Sequence, residues 1–330
     1  MKAVSIMEFM NANDSICTFS KNNLLLITAG STYLDIDAYS CMVAMAELLN
    51  LQGGKAIAYS KAPCNYSVCG FLTTQGQILR KLPLDISEED ASYIIVDVSD
   101  PEFLKSSVPL NRVIEVYDHH AGFETYWEDR IGAGTHIEFI GAAATLIYRE
   151  WHKAGVQDQM SRETALLLIA AILDNTLNLT STNTTEEDRE AFRALCAYAG
   201  VGDEFRAMYF TEVQKSVETD LKNAIFGDIK TVRGNSVLPP RVAQLCVWNA
   251  DGIIAMIAEI RAWFTPPSEP WMINIIDLSA NCSYFVCDDK RTQRKIEPVF
   301  NVIFENGVAR TEKTYLRKQI IKKTIFGSNV

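Results

Sequence analysis

The sequence predicts an α/β protein with an N-terminal, mostly parallel sheet flanked by helices, followed by a smaller C-terminal α/β unit. Short apolar runs rich in β-branched and aromatic residues alternate with helical-period segments, the pattern of strand–helix–strand units. Glycine, asparagine and aspartate punctuate those runs and end them as strands. The chain has 330 residues, about two ordinary domains by length, and its 48% apolar content is ample for two cores.

In chain order, Leu24 to Thr28 reads as a buried strand, Ala29-Gly30-Ser31 as a turn, and Ala38 to Asn50 as a helix ending near Gly53-Gly54. Ala56 to Tyr59, Tyr93 to Val98 and Arg112 to Tyr117 read as further strands, with helices between some of them. Ala142 to Ala154, Arg162 to Asp174 and Thr185 to Ala199 read as three helices, and a boundary near Thr211 divides the chain into 1–211 and 212–330. Beyond it, Val217 to Ile225 and Gly252 to Phe264 have helical patterns, while Val242 to Trp248 and Trp271 to Asp277 read as strands. Pro239-Pro240 and Pro266-Pro267 mark loops.

Forty-one acids against 31 bases give a formal charge of −10, which argues against binding duplex nucleic acid by broad phosphate neutralisation. The eight cysteines show no CxxC spacing and no apolar leader opens the sequence, so a reducing cytoplasm is the expected setting. Ala165 to Leu173, among the longest apolar segments, falls far short of the roughly 20 residues a membrane span needs.

Tyr117-Asp118-His119-His120 closes the apolar run Val113 to Val116 and is the sharpest chemical signal. An acid and two adjacent imidazoles at a strand end bring metal-binding and phosphate-binding groups to a sheet's edge, as phosphoester or phosphoanhydride hydrolysis requires. Three further places supply carboxylates: Asp35-Ile36-Asp37, Asp97 after Ile94-Ile95-Val96, and Asp174 within Leu173-Asp174-Asn175-Thr176. In an open α/β sheet the carboxyl ends of the strands line one crevice, so these groups can meet. Two divalent ions about 3.5–4 Å apart can share a bridging carboxylate and a bridging hydroxide nucleophile, and Asp97 is the natural bridge. Oxygen donors with one imidazole suit Mn²⁺ or Mg²⁺ better than zinc. His136 and His152 read as surface or packing residues.

These residues resemble the DHH phosphoesterase superfamily, and more closely the manganese-dependent (family II) inorganic pyrophosphatases and cytosolic exopolyphosphatases, with their DHHA2-like C-terminal domain. Ile140 to Tyr148 is similar to the family's Val-Gly-Cys-Thr-Ala-Thr helix start, and Leu166 to Thr185 to its Leu-x-Ser-Ala-Ile-x-Ser-Asp segment. Thr219-Asp220-Leu221-Lys222 is similar to an Asp-x-Lys helix, and Phe300-Asn301-Val302 through Arg317-Lys318-Gln319 to a closing strand and Ser-Arg-Lys motif. The resemblance implies that Asp37, Asp97, His119 and Asp174 hold one metal and that Asp35 and Asp97 help hold the other. It further implies that His120, Lys222, Arg317 and Lys318 grip phosphate oxygens, that residues 200–214 form a hinge, and that the protein is a homodimer. Gln293-Arg294-Lys295 mimics the basic motif but lies too early in the chain.

Two departures bear on substrate. Ser31 stands where the pyrophosphatase His-x-x-x-Asp-x-Asp pattern begins with histidine, and Leu316 stands where a serine precedes the Arg-Lys pair. The expected activity is hydrolysis of pyrophosphate or short polyphosphate with two divalent metals, Mn²⁺ or Mg²⁺. The alternatives are an exopolyphosphatase acting on longer polyphosphate, a DHH nucleotide phosphodiesterase, and an inactive scaffold of the same fold.

Overall fold

The structure, a computed structural model, describes residues 24–30, 33–84, 86–264 and 269–326. The first half contains β1 (Leu24–Thr28), α1 (Ile36–Leu51), β2 (Lys55–Ala58), β3 (Ser92–Val96), α2 (Pro101–Leu104), β4 (Val113–Asp118), α3 (Glu124–Ile131), β5 (Thr135–Ile137), α4 (Ala143–Lys153), α5 (Arg162–Asn175) and α6 (Glu186–Ala199). Its sheet runs β2-β1-β3-β4-β5 with every pairing parallel, so "mostly parallel" becomes wholly parallel.

Both faces of this sheet are covered, which explains why its strands read as unbroken apolar runs rather than alternating ones. Leu25 and Ile27 point into the core shared with α1, α4 and α5, while Leu26 packs with Tyr93, Val116 and Trp127 on the opposite face. Helix α1 is buried along most of its length between the sheet and α4 and α5. Trp151 Nε1 donates to the Ala44 carbonyl at 3.1 Å and Ser40 Oγ to the Leu167 carbonyl at 2.9 Å, fixing how the three helices stack.

The second half contains α7 (Asp203–Thr219), α8 (Leu221–Gly227), β6 (Lys230–Thr231), β7 (Arg241–Val247), α9 (Asp251–Ala255), α10 (Ile257–Trp263), β8 (Trp271–Asp277), β9 (Cys282–Val286), α11 (Lys290–Phe300), β10 (Val308–Arg310) and α12 (Arg317–Phe326). Its sheet runs β10-β9-β8-β7-β6, and only β7 and β8 are parallel.

Several sequence expectations change here. Asp220 interrupts the predicted helix Val217 to Ile225: it takes φ −143° and ψ 60° and caps α8 through the Asn223 N–H. The predicted helix Gly252 to Phe264 is two short helices meeting at Met256. Phe300-Asn301-Val302 is not a strand, because Phe300 ends α11 and Asn301 caps it in the left-handed conformation at φ 52°. Its apolar character serves a second core, where the Phe300 ring sits edge-on to Phe285 and Tyr315. Between β2 and β3 the described residues form loops and one 3₁₀ turn, Glu88–Asp90, with no α-helix. The expected hinge at 200–214 lies mostly within α7, which buries Phe205, Tyr209, Phe210, Val213 and Val217. The seven described cysteines are free, and no helix among the described residues is long and apolar enough to cross a membrane.

Candidate metal centre

Strands β3 and β4 end side by side and deliver the centre. After Val96 the chain turns at Asp97 into the left-handed region, φ 58°, while the Asp97 N–H still donates to the Tyr117 carbonyl at 2.7 Å. A non-glycine residue there costs about 1 kcal/mol or more and persists only where surrounding structure enforces it. Strand β4 finishes at Asp118, whose side chain is fully buried and whose Oδ1 accepts the His119 N–H at 2.7 Å, the His120 N–H at 3.1 Å and His120 Nδ1 at 2.8 Å. One carboxylate thus fixes the backbone of both histidines and the ring of the second. Burial opposes charge on both partners, yet their hydrogen bond keeps the Asp118 pKa below and the His120 pKa above their ordinary values.

His119 is oriented differently. Its Nδ1 lies 3.3 Å from the Ile140 carbonyl and can only donate there, so Nε2 presents a lone pair. That lone pair faces Asp97 Oδ1 at 3.4 Å, with the two side chains 3% and 6% exposed. The separation would suit an ion pair, but burial and the neighbouring His120 charge push His119 down to about 3, so the ring is neutral. Neither Nε2 nor Oδ1 has a hydrogen-bond partner. Two buried lone pairs aimed at each other repel unless a proton or a metal ion lies between them. Ligand atoms of Asp97, His119 and His120 all fall within 4.8 Å of one another, and a carboxylate with an imidazole fits a divalent ion.

Asp35 and Asp37 lie near this group, and Asp174 lies near Asp35. Asp35 caps α1, its Oδ1 accepting the Ala38 N–H at 3.0 Å, and its carboxyl reaches Asp97. Burial, then the charges of Asp37, Asp35 and Asp118, raise Asp97 well above the carboxylate range. Asp37 is fully buried and accepts the N–H groups of Ala143 at 2.9 Å and Ala144 at 2.8 Å, so it caps the N-terminus of α4 from across the fold. Asp174 accepts the Tyr209 hydroxyl at 2.9 Å. Burial pushes both Asp37 and Asp174 up to about 7. The turn before α4 is held by Asp188, which accepts the Gly141 N–H at 2.9 Å. A Cβ at Gly141 would lie 2.5 Å from Asp188 Oδ2 and 2.6 Å from Thr176 Cγ2, so glycine is required beside the carbonyl that orients His119.

No family model matches the chain. A Bacillus mycoides protein named "Probable manganese-dependent inorganic pyrophosphatase" is 26% identical over 245 residues, spanning 72% of this chain and 76% of its own length. The crystal structure of a Methanococcus jannaschii "putative family II inorganic pyrophosphatase" superposes with TM-score 0.60 at 18% identity, covering 91% of this chain and 98% of that one. An exopolyphosphatase-related protein from Bacteroides fragilis superposes with TM-score 0.50 at 12% identity, covering 91% and 89%. The chain is thus similar in sequence to manganese-dependent inorganic pyrophosphatases and shares the two-domain α/β fold of a family II member.

The basic residues depart further from expectation than the acids. Lys318, at the start of α12, is close enough to Asp97, His119 and His120 for its charge to be felt by each. Arg317 is not free to grip an anion. Its guanidinium is paired with Asp228, donates to the Asp228 carbonyl at 2.8 Å and the Val242 carbonyl at 3.2 Å, and is largely buried. Lys222 is exposed on α8 and does not line the cavity that holds Asp97 and His120. Lys230, from β6, does line that cavity, and no sequence signal marks it. Asp118 was visible as the first letter of its motif, but its positioning role needed the geometry. Ser31 lies outside the described residues. Gln319 meets the first half directly, its Nε2 donating to Thr182 Oγ1 at 2.6 Å.

Proposed function

We propose that this chain is a divalent-metal-dependent hydrolase of phosphoanhydrides, acting on pyrophosphate or short polyphosphate. The carrying observation is the buried, partnerless pair Asp97 Oδ1 and His119 Nε2, facing each other at 3.4 Å at the carboxyl ends of two parallel strands. Manganese dependence in the named relatives supports the same donor set. A divalent ion bound there supplies Lewis-acid charge to phosphoryl oxygens and lowers the pKa of water.

The chain's own residues do the rest. Asp97, with Asp35 beside it, provides the anionic face. Asp118 holds His120 Nδ1–H, so the opposite edge of the ring can donate Nε2–H to a phosphoryl oxygen. Lys318 and Lys230 add positive charge at the cavity, offsetting charge that spreads over the transferred group. Arg317 is engaged by Asp228 and reaches an anion only when that pair opens.

The test is phosphate release by metal-stripped protein resupplied with Mn²⁺ or Mg²⁺, on pyrophosphate, tripolyphosphate and long polyphosphate in parallel. Metal-dependent release from the shorter substrates is expected. Silence on all three would sink the proposal.

A further inference from the structure

A second cavity lies apart from the metal centre, between the first turns of α1 and the loop that follows β2. Its volume is about 290 Å³, and Tyr39, Cys64, Thr73, Thr74 and Arg80 are among the residues that line it, none of them shared with the cavity that holds Asp97 and His120. Arg80 is held at three points. Its Nη1 donates to the Ala62 carbonyl and to the Ser60 carbonyl at 3.1 Å, and its Nη2 donates to Cys64 Sγ at 3.2 Å. Carbonyls and a thiol fix a guanidinium without cancelling its charge, and among the described residues no acid pairs with it. An exposed arginine ordinarily loses side-chain freedom when it meets an anion, and here the fold has removed that freedom beforehand. Donors at Nε and Nη2 are left over, and a guanidinium binds oxyanions through charge-assisted hydrogen bonds. One amide sets the opposite wall: Gln77 Oε1 accepts the Tyr39 hydroxyl at 2.9 Å and the Thr74 N–H at 2.8 Å. With its proton committed to Gln77, the Tyr39 oxygen is an acceptor suited to a P–OH group.

From this we infer that the cavity binds inorganic phosphate at Arg80, apart from the metal centre. Its volume is small for an organic cofactor and ample for a tetrahedral anion. The loop beneath it is tied to the segment that carries Asp35. The Leu34 N–H donates to the Pro63 carbonyl and the Asn65 N–H to the Leu34 carbonyl, each at 2.8 Å, and the Ile36 N–H donates to Ser67 Oγ at 2.9 Å. An anion at Arg80 therefore rests on the loop that holds a carboxylate of the centre in place. Under the phosphohydrolase reading this anion is also the product, but its binding does not depend on that reading.

Cys64 reports occupancy, because it is the exposed one of the seven described cysteines and touches Arg80. Full-length protein carrying bound Mn²⁺, with no excess in solution, is alkylated with iodoacetamide in phosphate or in chloride of equal ionic strength, and the Cys64 peptide is followed by mass. Phosphate at about 10 mM is expected to slow its modification about sixfold, as a dissociation constant of roughly 2 mM gives. The slowing is expected to vanish in Arg80→Gln and to persist in Lys318→Ala, whose change lies at the metal centre. Glycerol 3-phosphate is run beside phosphate, and protection by the ester alone overturns the assignment to the free ion. No slowing in the unaltered protein overturns the inference, as does slowing that survives Arg80→Gln or disappears with Lys318→Ala. The labelling is read without turnover, so it stands or falls separately from the phosphate-release assay.

Discussion

At the ends of β3 and β4, Asp97 and His119 are buried with functional atoms left without partners, whereas at the start of α12 Arg317 spends its guanidinium on Asp228 and two carbonyls. Both places hold residues that family resemblance assigns to the reaction, but only the first stores unmet polar demand. An unsatisfied buried group costs about 1–3 kcal/mol, and the fold tolerates that cost where a ligand can relieve it. A satisfied cation is structural until something displaces its partner. The lesson is to look for function where polar groups lack partners.

Asp97→Asn attacks the first region most directly. Asparagine tolerates the left-handed backbone, so the fold survives, while hydrolysis falls by about three orders of magnitude, roughly 4 kcal/mol. Near-normal phosphate release from this variant would remove Asp97 from the centre. A second effect appears in the metal-free protein as pH changes. Asp37 and Asp174 titrate at about 7 when folded, above their unfolded values, so the folded state holds their protons more tightly. Their stabilising protonation is complete below the unfolded pKa near 4 and is lost as pH rises to about 7, costing on the order of a few kcal/mol. Urea midpoints in chelator should therefore be lower at pH 8 than at pH 5, and the opposite order would refute strained carboxyls at this site.

Metal binding sharpens the same contrast. Mn²⁺ at about a hundred times its dissociation constant should add roughly 2.7 kcal/mol at pH 7.5, visible as an upward shift in Tm. Asp97→Asn should lose most of that shift, and an equal shift in both proteins would place the ion elsewhere. Smaller effects belong to the cations. Lys318→Ala should raise KM for pyrophosphate about tenfold with a lesser change in kcat, through the loss of one charge-assisted contact of roughly 1.5 kcal/mol. Asp228→Asn loosens Arg317 and should lower KM about two- to threefold, well under ~1.4 kcal/mol. An unchanged KM would make Arg317 a clamp for β7 and nothing more.

Much of the first half was legible because its signals are local. The strand Leu24 to Thr28 and its parallel neighbours are unbroken apolar runs, and Asp118-His119-His120 is a contiguous motif at a strand end. The use of Asp37 as a cap for α4 was not legible, since its partners lie more than a hundred residues away. Nor was the Arg317–Asp228 pair, whose members lie 89 residues apart. In the second half, β9, β10, α11 and α12 were not predicted as elements. The one strand read near there, at Phe300-Asn301-Val302, was a helix end whose apolar residues serve a core that only the tertiary structure reveals.

Helix α7 gives the molecule a mechanical property. Along one rod of 17 residues, Tyr209 grips Asp174 beside the acids, Phe210 stacks on Trp248, and Gln214 accepts the Asn249 N–H at 2.9 Å. One continuous helix therefore connects contacts to the second sheet with a carboxyl of the candidate site. The stretch expected to hinge is thus a packed helix, and a change in angle between the two sheets would be felt at the Tyr209–Asp174 contact.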